Sequence, residues 1–189
     1  MLKQELDGQS IFTVSDFFSP SECEELIART EHNGFEDAPI TTPYGFKMRK
    51  DVRNNARVMF DDTQLADQLW QRARPFLPAR FGSWEAIALN ERFRAYRYGV
   101  GERFAPHYDG TFQRSAEEKS KLTFMIYLND GFEGGETNFY LAMGQLRTSV
   151  LPERGKALVF IHDQVHEGAA IVRGVKYVLR TDVMYRRPY

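Results

Sequence analysis

From about Glu91 onward the chain is a run of strand-length segments rich in Tyr, Phe, Val, Ile and Thr, interrupted by Gly, Pro, Asn and Asp. RFRAYRYG, KLTFMIYLND, TNFYLA, KALVFIH and KYVLRTDVMY each suit one strand, and GVGERFAP, DGFEGG and PERG supply turns. Two sheets closing as a jelly roll accommodate such a series best. The first part of the chain has a different texture. Ser19-Pro20-Ser21-Glu22 is a capping box with proline at the first helical position, ahead of an apolar stripe of Cys23, Leu26 and Ile27, and predicts a helix from about Ser19 to Gly34. Leu65, Leu69, Trp70 and Ala73 recur at helical spacing and predict a second from about Thr63 to Phe76. No repeat, low-complexity tract or linker divides the chain. The expectation is one domain, 1–189, of α+β class but mainly β. Residues from 1 to about 85 should support the outside of one sheet, and residues from about 86 should form a double-stranded β-helix, or jelly-roll, core.

Composition narrows the field of functions. The 189 residues suffice for a core without disulfides or structural metal, and Cys23, the single cysteine, sits where a small buried hydrophobe is expected. Lys and Arg number 25 against 26 acidic residues, so the basic footprint of a nucleic-acid binder is missing. No apolar run approaches the roughly 18 residues that cross a bilayer, which argues against a membrane protein. MLKQELDGQSIF carries no apolar signal core, and a cytoplasmic location is the default expectation.

Chemistry concentrates around the four histidines, His32, His107, His162 and His166. In YGVGERFAPHYDG, His107 and Asp109 stand two apart, so on an extended strand both side chains leave one face. His166 in VFIHDQVHEG follows after 56 intervening residues, enough for several strands to return it across a barrel. Two imidazoles and one carboxylate on one face of an ion leave three positions open, the arrangement Fe(II) needs to bind an oxo-acid and then O2. Zinc suits the set less well, because a hydrolytic general base is not evident. His162, four residues before His166, reads as a structural or supporting imidazole, and His32, near a helix end, as a solvated one.

In this half the chain resembles the prolyl 4-hydroxylase-like branch of the iron(II)- and 2-oxoglutarate-dependent dioxygenases. The likeness rests on YGVGERFAPHYD, MIYLND, GGETNF, PERGKALVF and HEGAAIVRGVKYVL in that order, over about residues 94–185. It implies His107, Asp109 and His166 as ligands of Fe(II), with 2-oxoglutarate and O2 as cosubstrates and ascorbate as reductant. It also implies that Lys176, ten residues after His166, holds the 5-carboxylate of 2-oxoglutarate, with Tyr98, Thr137 and Tyr127 lining the same pocket. Arg180 stands at a spacing where other branches place an arginine for that carboxylate, so the two cations compete for the role.

Lys176, Val178, Arg180 and Asp182 share one face of a strand by period-two alternation, as do Arg94, Tyr96 and Tyr98. Buried ions need partners, so Arg94, Arg180 and Asp182 are expected to form a polar cluster near the iron, contacting cosubstrate or substrate. The stretch KMRKDVRNNARV falls where the family carries a substrate-covering loop, which makes Arg53, Asn54 and Asn55 candidates for gripping substrate. A carboxylate at Asp109 implies hydroxylation rather than halogenation. The expected function is a hydroxylase of prolyl residues in a protein or peptide. The alternatives are a hydroxylase of a free amino acid or other small metabolite, and a non-catalytic, cupin-like metal-binding module. A nucleic-acid repair dioxygenase is disfavoured by charge.

Overall fold

The computed structural model describes residues 1–42 and 44–187, with the backbone alone for 41, 42 and 142. The chain opens with a β-hairpin, β1 (Leu2–Asp7) and β2 (Ile11–Ser15), then helix α1 (Pro20–Asn33). Short strands β3 (Glu36–Asp37), β4 (Ile40–Thr42) and β5 (Gly45–Lys47) lead to β6 (Ala56–Asp61) and helix α2 (Thr63–Ala73). Next come β7 (Arg80–Phe81), β8 (Trp84–Leu89), β9 (Arg92–Tyr98), β10 (Phe104–His107) and β11 (Glu118–Tyr127). The remainder is β12 (Glu133–Gly134), β13 (Thr137–Tyr140), β14 (Leu146–Val150), β15 (Ala157–Ile161), β16 (Val165–Gly168), β17 (Ile171–Arg173) and β18 (Lys176–Arg186).

Two sheets make the core. The large one runs β1-β2-β15-β11-β18-β9-β6-β3, with β8 also paired to β18, and the small one runs β10-β16-β13-β14. Alternation along β18 sorts its side chains: Leu179 and Val183 join the apolar layer that also holds Leu26 of α1 and Leu69 of α2, whereas Val178 joins Tyr96, Tyr98, Phe139 and Phe160 between the sheets. The helices therefore back the large sheet, as the sequence predicts, and the small sheet covers its other face. Ser19 caps α1 reciprocally with Glu22, and Asp62 caps α2. Glu22 also receives Arg72 of α2 at 2.7 Å, tying the helices together.

The β1-β2 hairpin is not foreseen from the sequence. β2 pairs with β15 inside the large sheet and is buried almost throughout, so IFTVS, apolar but for two small hydroxyl residues, lacks the alternation of a half-exposed strand. The second helix ends at Ala73, three residues short of the expected Phe76, ahead of Pro75. Cys23 is fully buried, and burial pushes its thiol up to about 11, the signature of an inert packing residue. Among the described residues no helix is long and apolar enough to cross a membrane.

Candidate metal and cosubstrate site

The site lies between the sheets. His107 ends β10 and is the direct cross-strand partner of His166 on β16, so the two imidazoles are brought together by sheet pairing. Asp109 lies past the end of β10, not on an extended strand as its spacing suggests. Its backbone N–H donates to the His162 carbonyl at 3.2 Å, which turns the loop so that the carboxylate reaches both rings. Asp109 Oδ1 is 3.8 Å from His107 Nε2, and Oδ2 is 3.7 Å from His166 Nε2. All three ligand atoms fall within 4.8 Å of one another.

The surroundings make this a donor set. His107 Nδ1 lies 2.8 Å from the Ala105 carbonyl and His166 Nδ1 3.0 Å from the Gln164 carbonyl. Each carbonyl fixes the proton on Nδ1 and turns the Nε2 lone pair inward. Burial pushes the His107 pKa down to about 3 and lowers that of His166, keeping both rings neutral. Burial alone would raise Asp109, but the Arg180 guanidinium, helped by the Thr123 hydrogen bond, outweighs it and holds the carboxyl well below the usual range. Its oxygens are steadied by Arg180 Nη1 at 3.0 Å and the Thr123 hydroxyl at 2.5 Å. Two neutral imidazoles and an ionised carboxylate converging from one side fit a divalent first-row metal such as Fe(II). Phe104 stacks on His107 with centroids 3.5 Å apart, and Phe160 packs on His166, shielding that side from water.

A narrow cavity runs from these ligands to Lys176, lined among others by Tyr98, Thr137, Met125 and Val178. Lys176 is 2 % exposed, and no carboxylate of the described residues lies within ion-pair reach. Its ammonium donates to the Gly135 carbonyl at 2.5 Å and stands 5.3 Å from the Tyr98 and Tyr127 ring centroids. Burial lowers its pKa to about 7. Gly135 is needed there, because at φ +73° a Cβ would lie 2.5 Å from Ile171 Cδ1 and 3.2 Å from Lys176 Cδ. Tyr127 sits behind the cavity wall, its hydroxyl 2.7 Å from that of Thr137.

Arg180 faces the same interior but is engaged. It contacts Asp109, Asp182 Oδ1 at 3.2 Å and the Thr123 hydroxyl at 3.3 Å, and Arg94 reaches Asp182 Oδ2 at 3.2 Å. Arg94, Arg180 and Asp182 thus meet beside the ligands, with Asp182 bridging. Arg53 enters the same region, but Asn54 and Asn55 do not line it. Asn54 pins its segment to the Arg103 N–H, and Asn55 accepts from Arg53 Nε at 2.7 Å. His162 lies behind Asp109, its ring nitrogens 2.8 Å from the Ser120 hydroxyl and 3.1 Å from that of Thr123. Thr123 is missed by the sequence reading, although period-two alternation back from Tyr127 points it inward.

The profile of the 2OG-Fe(II) oxygenase superfamily matches residues 93–181. A protein described as probable prolyl 4-hydroxylase 8 of Arabidopsis thaliana is 24 % identical over 88 % of this chain and 65 % of its own length. Prolyl 4-hydroxylase 1 of the same plant is 26 % identical over 88 % of this chain and 66 % of its own, so this chain spans just under two thirds of these relatives. Among solved structures, a prolyl-4-hydroxylase from Pseudomonas putida superposes with a TM-score of 0.67 at 19 % identity, covering 97 % of this chain and 95 % of that one. A prolyl hydroxylase from Trichoplax adhaerens, solved with a hypoxia inducible factor peptide, superposes at 0.71 and 14 % identity over 96 % and 86 %. At such identities the superpositions speak for a shared fold. The profile and the relatives make the chain similar to the 2OG-Fe(II) oxygenase superfamily, and within it to the prolyl 4-hydroxylases.

Proposed function

We propose that this protein is an Fe(II)- and 2-oxoglutarate-dependent hydroxylase of prolyl residues in a protein or peptide. One observation carries the proposal: a single cavity has three metal donors at one end and, at the other, a buried ammonium that makes no ion pair among the described residues. His107, Asp109 and His166 hold the iron. Lys176 receives the 5-carboxylate of 2-oxoglutarate, with the Tyr98 and Thr137 hydroxyls beside it and Tyr127 orienting Thr137 from behind. Arg180 is committed to Asp109 and Asp182, so its part is to orient the ligand carboxylate. With iron, 2-oxoglutarate and O2 bound, the site supplies C–H hydroxylation coupled to oxidative decarboxylation of 2-oxoglutarate to succinate and CO2. The protein's residues hold the anions in place, keep the imidazoles neutral and exclude water from the dry side.

Prolyl residues are favoured as target because relatives matching most of the chain are prolyl 4-hydroxylases by description. Ascorbate as reductant and a cytoplasmic setting belong to the same proposal, the latter supported by a lone, unpaired thiol. The open cleft of about 490 Å³ above the ligands favours a second reading, a free amino acid or other small metabolite. The test is turnover. Purified protein with Fe(II), ascorbate and 2-oxoglutarate should form succinate, prolyl peptides should stimulate it more than free proline, and His107→Ala and Lys176→Ala should abolish it. Succinate formation indifferent to both substitutions rejects the site, and its absence under all conditions returns the cupin-like binding module.

A further inference from the structure

The cleft that opens on His107 and Asp109 is lined by Arg53, Arg57, Arg94 and Arg180. Against these four guanidiniums stand two carboxylates, Asp109 in the lining and Asp182 behind it, and Arg180 takes a share of both. Three cations are left with spare capacity. Arg94 has a single ion pair, to Asp182. The Arg57 side chain is half-buried and has no ion pair or hydrogen bond among the described residues, and the carboxylate paired opposite it, Glu36 on β3, is exposed. Arg53 is 4 % exposed, and its Nη2 has no hydrogen-bond partner among the described residues.

Arg53 is the clearest sign of a built site. Its guanidinium lies 4.5 Å from the Tyr96 ring centroid and 4.4 Å from that of Phe104, while Asn55 holds Nε. Phe104 in turn stacks on His107, so one contact chain links the guanidinium to a metal-ligand ring. Burying an arginine without a carboxylate is unfavourable, yet two rings and an amide fix Arg53 in place with an unused donor among the described residues. A fork held this way is pre-organised for an oxyanion. The cosubstrate has its own cation in Lys176, on the far side of the ligands, and leaves the spare donors of these three free for another anion.

We propose that the substrate brings a carboxylate into this cleft, where Arg53, Arg57 and Arg94 bind it and so set which C–H bond faces the metal. The proposal rests on the hydroxylase reading and adds the chemical class of its substrate. The carboxylate is either an acidic side chain next to the target residue in a peptide or the α-carboxylate of a free amino acid.

The experiment is anaerobic calorimetry on the Fe(II)- and 2-oxoglutarate-loaded protein, where binding is read without turnover. Three probes are titrated: an acetylated, amidated peptide with glutamates flanking one proline, the same peptide with glutamines, and free L-proline. A carboxylate-bearing probe should bind at least about tenfold more tightly than the glutamine peptide. That preference should collapse in Arg57→Gln, whose side chain is half-exposed and unpaired, and in Arg53→Gln. Tight binding of the glutamate peptide assigns the anion to a neighbouring acidic residue, and tight binding of L-proline assigns it to an α-carboxylate. Binding of neither carboxylate probe more tightly than the glutamine peptide, a preference that survives both substitutions, or no saturation by either carboxylate probe at millimolar concentration overturns the proposal. Loss of 2-oxoglutarate binding by the wild-type protein in the same titration would instead sink the hydroxylase reading beneath it.

Discussion

Lys176 and Arg180 lie on one face of one strand, four residues apart, and differ in nearly everything else. Arg180 stands between two carboxylates, and although burial opposes its charge, Asp109 and Asp182 outweigh that and raise its pKa. Lys176 meets a carbonyl and two rings, and its pKa falls to about 7. A cation already neutralised by its own fold is a structural part, whereas one kept dry and unneutralised is a place for an incoming anion. On the proposed reading the same sequence pattern serves two roles, and only the neighbours tell them apart.

The comparison breaks most sharply at Asp109. Asp109→Ala removes a proposed ligand and one of the two carboxylate partners of Arg180, and metal affinity should fall at least about 100-fold. Stability should fall by ~2–4 kcal/mol as Arg180 loses that charge, which metal titration and urea unfolding would measure. Substituting each cation by methionine should then give opposite results. Lys176→Met should weaken 2-oxoglutarate binding by about 100-fold or more while stabilising the ligand-free protein by ~1–3 kcal/mol near neutral pH. Arg180→Met should destabilise by a similar amount and leave cosubstrate affinity within about threefold. Equal losses of affinity in the two variants would erase the distinction.

The pH dependence sharpens it further. Lysine ordinarily titrates near 10.5 and Lys176 near 7, so between these values the unfolded chain holds a proton that the folded one lacks, and stability rises with pH. The advantage of Lys176→Met should therefore shrink steadily from pH 7 to 10. Cosubstrate binding should run the other way. Capturing an anion requires the ammonium, so affinity is flat below pH 7 and drops by up to about tenfold per unit above it, read by calorimetry. Thr123→Val should give the smallest effect, a loss of about tenfold in metal affinity, because it removes one of the donors that steady Asp109.

Much of this was legible beforehand. The jelly-roll class followed from the punctuated strands, and the helix start at Ser19 from its capping box. The shared face of Lys176, Arg180 and Asp182 followed from alternation. What escaped has physical causes. The β1-β2 hairpin has one largely exposed edge strand and one strand buried on both faces, so neither shows the period of two. Asp109 reaches its site through a loop held by the His162 carbonyl, a contact no local pattern announces. Asn54 and Asn55 look like substrate-facing polar groups until their partners, Arg103 and Arg53, are seen. Whether Arg180 or Lys176 would stand alone depended on Asp109, 71 residues away in sequence but within hydrogen-bonding distance in space.

β18 hydrogen-bonds on both edges, to β11 on one side and to β9 and β8 on the other. Strands so enclosed open only with the whole molecule, so its amides should exchange with heavy water among the slowest in the chain. Binding should slow them little, because they are already closed. Ligand-dependent protection should appear instead in the segment around Arg53, where short strands and a loop border the cleft. The anchor would behave as fixed ground, and the observable response to a ligand would come from the rim.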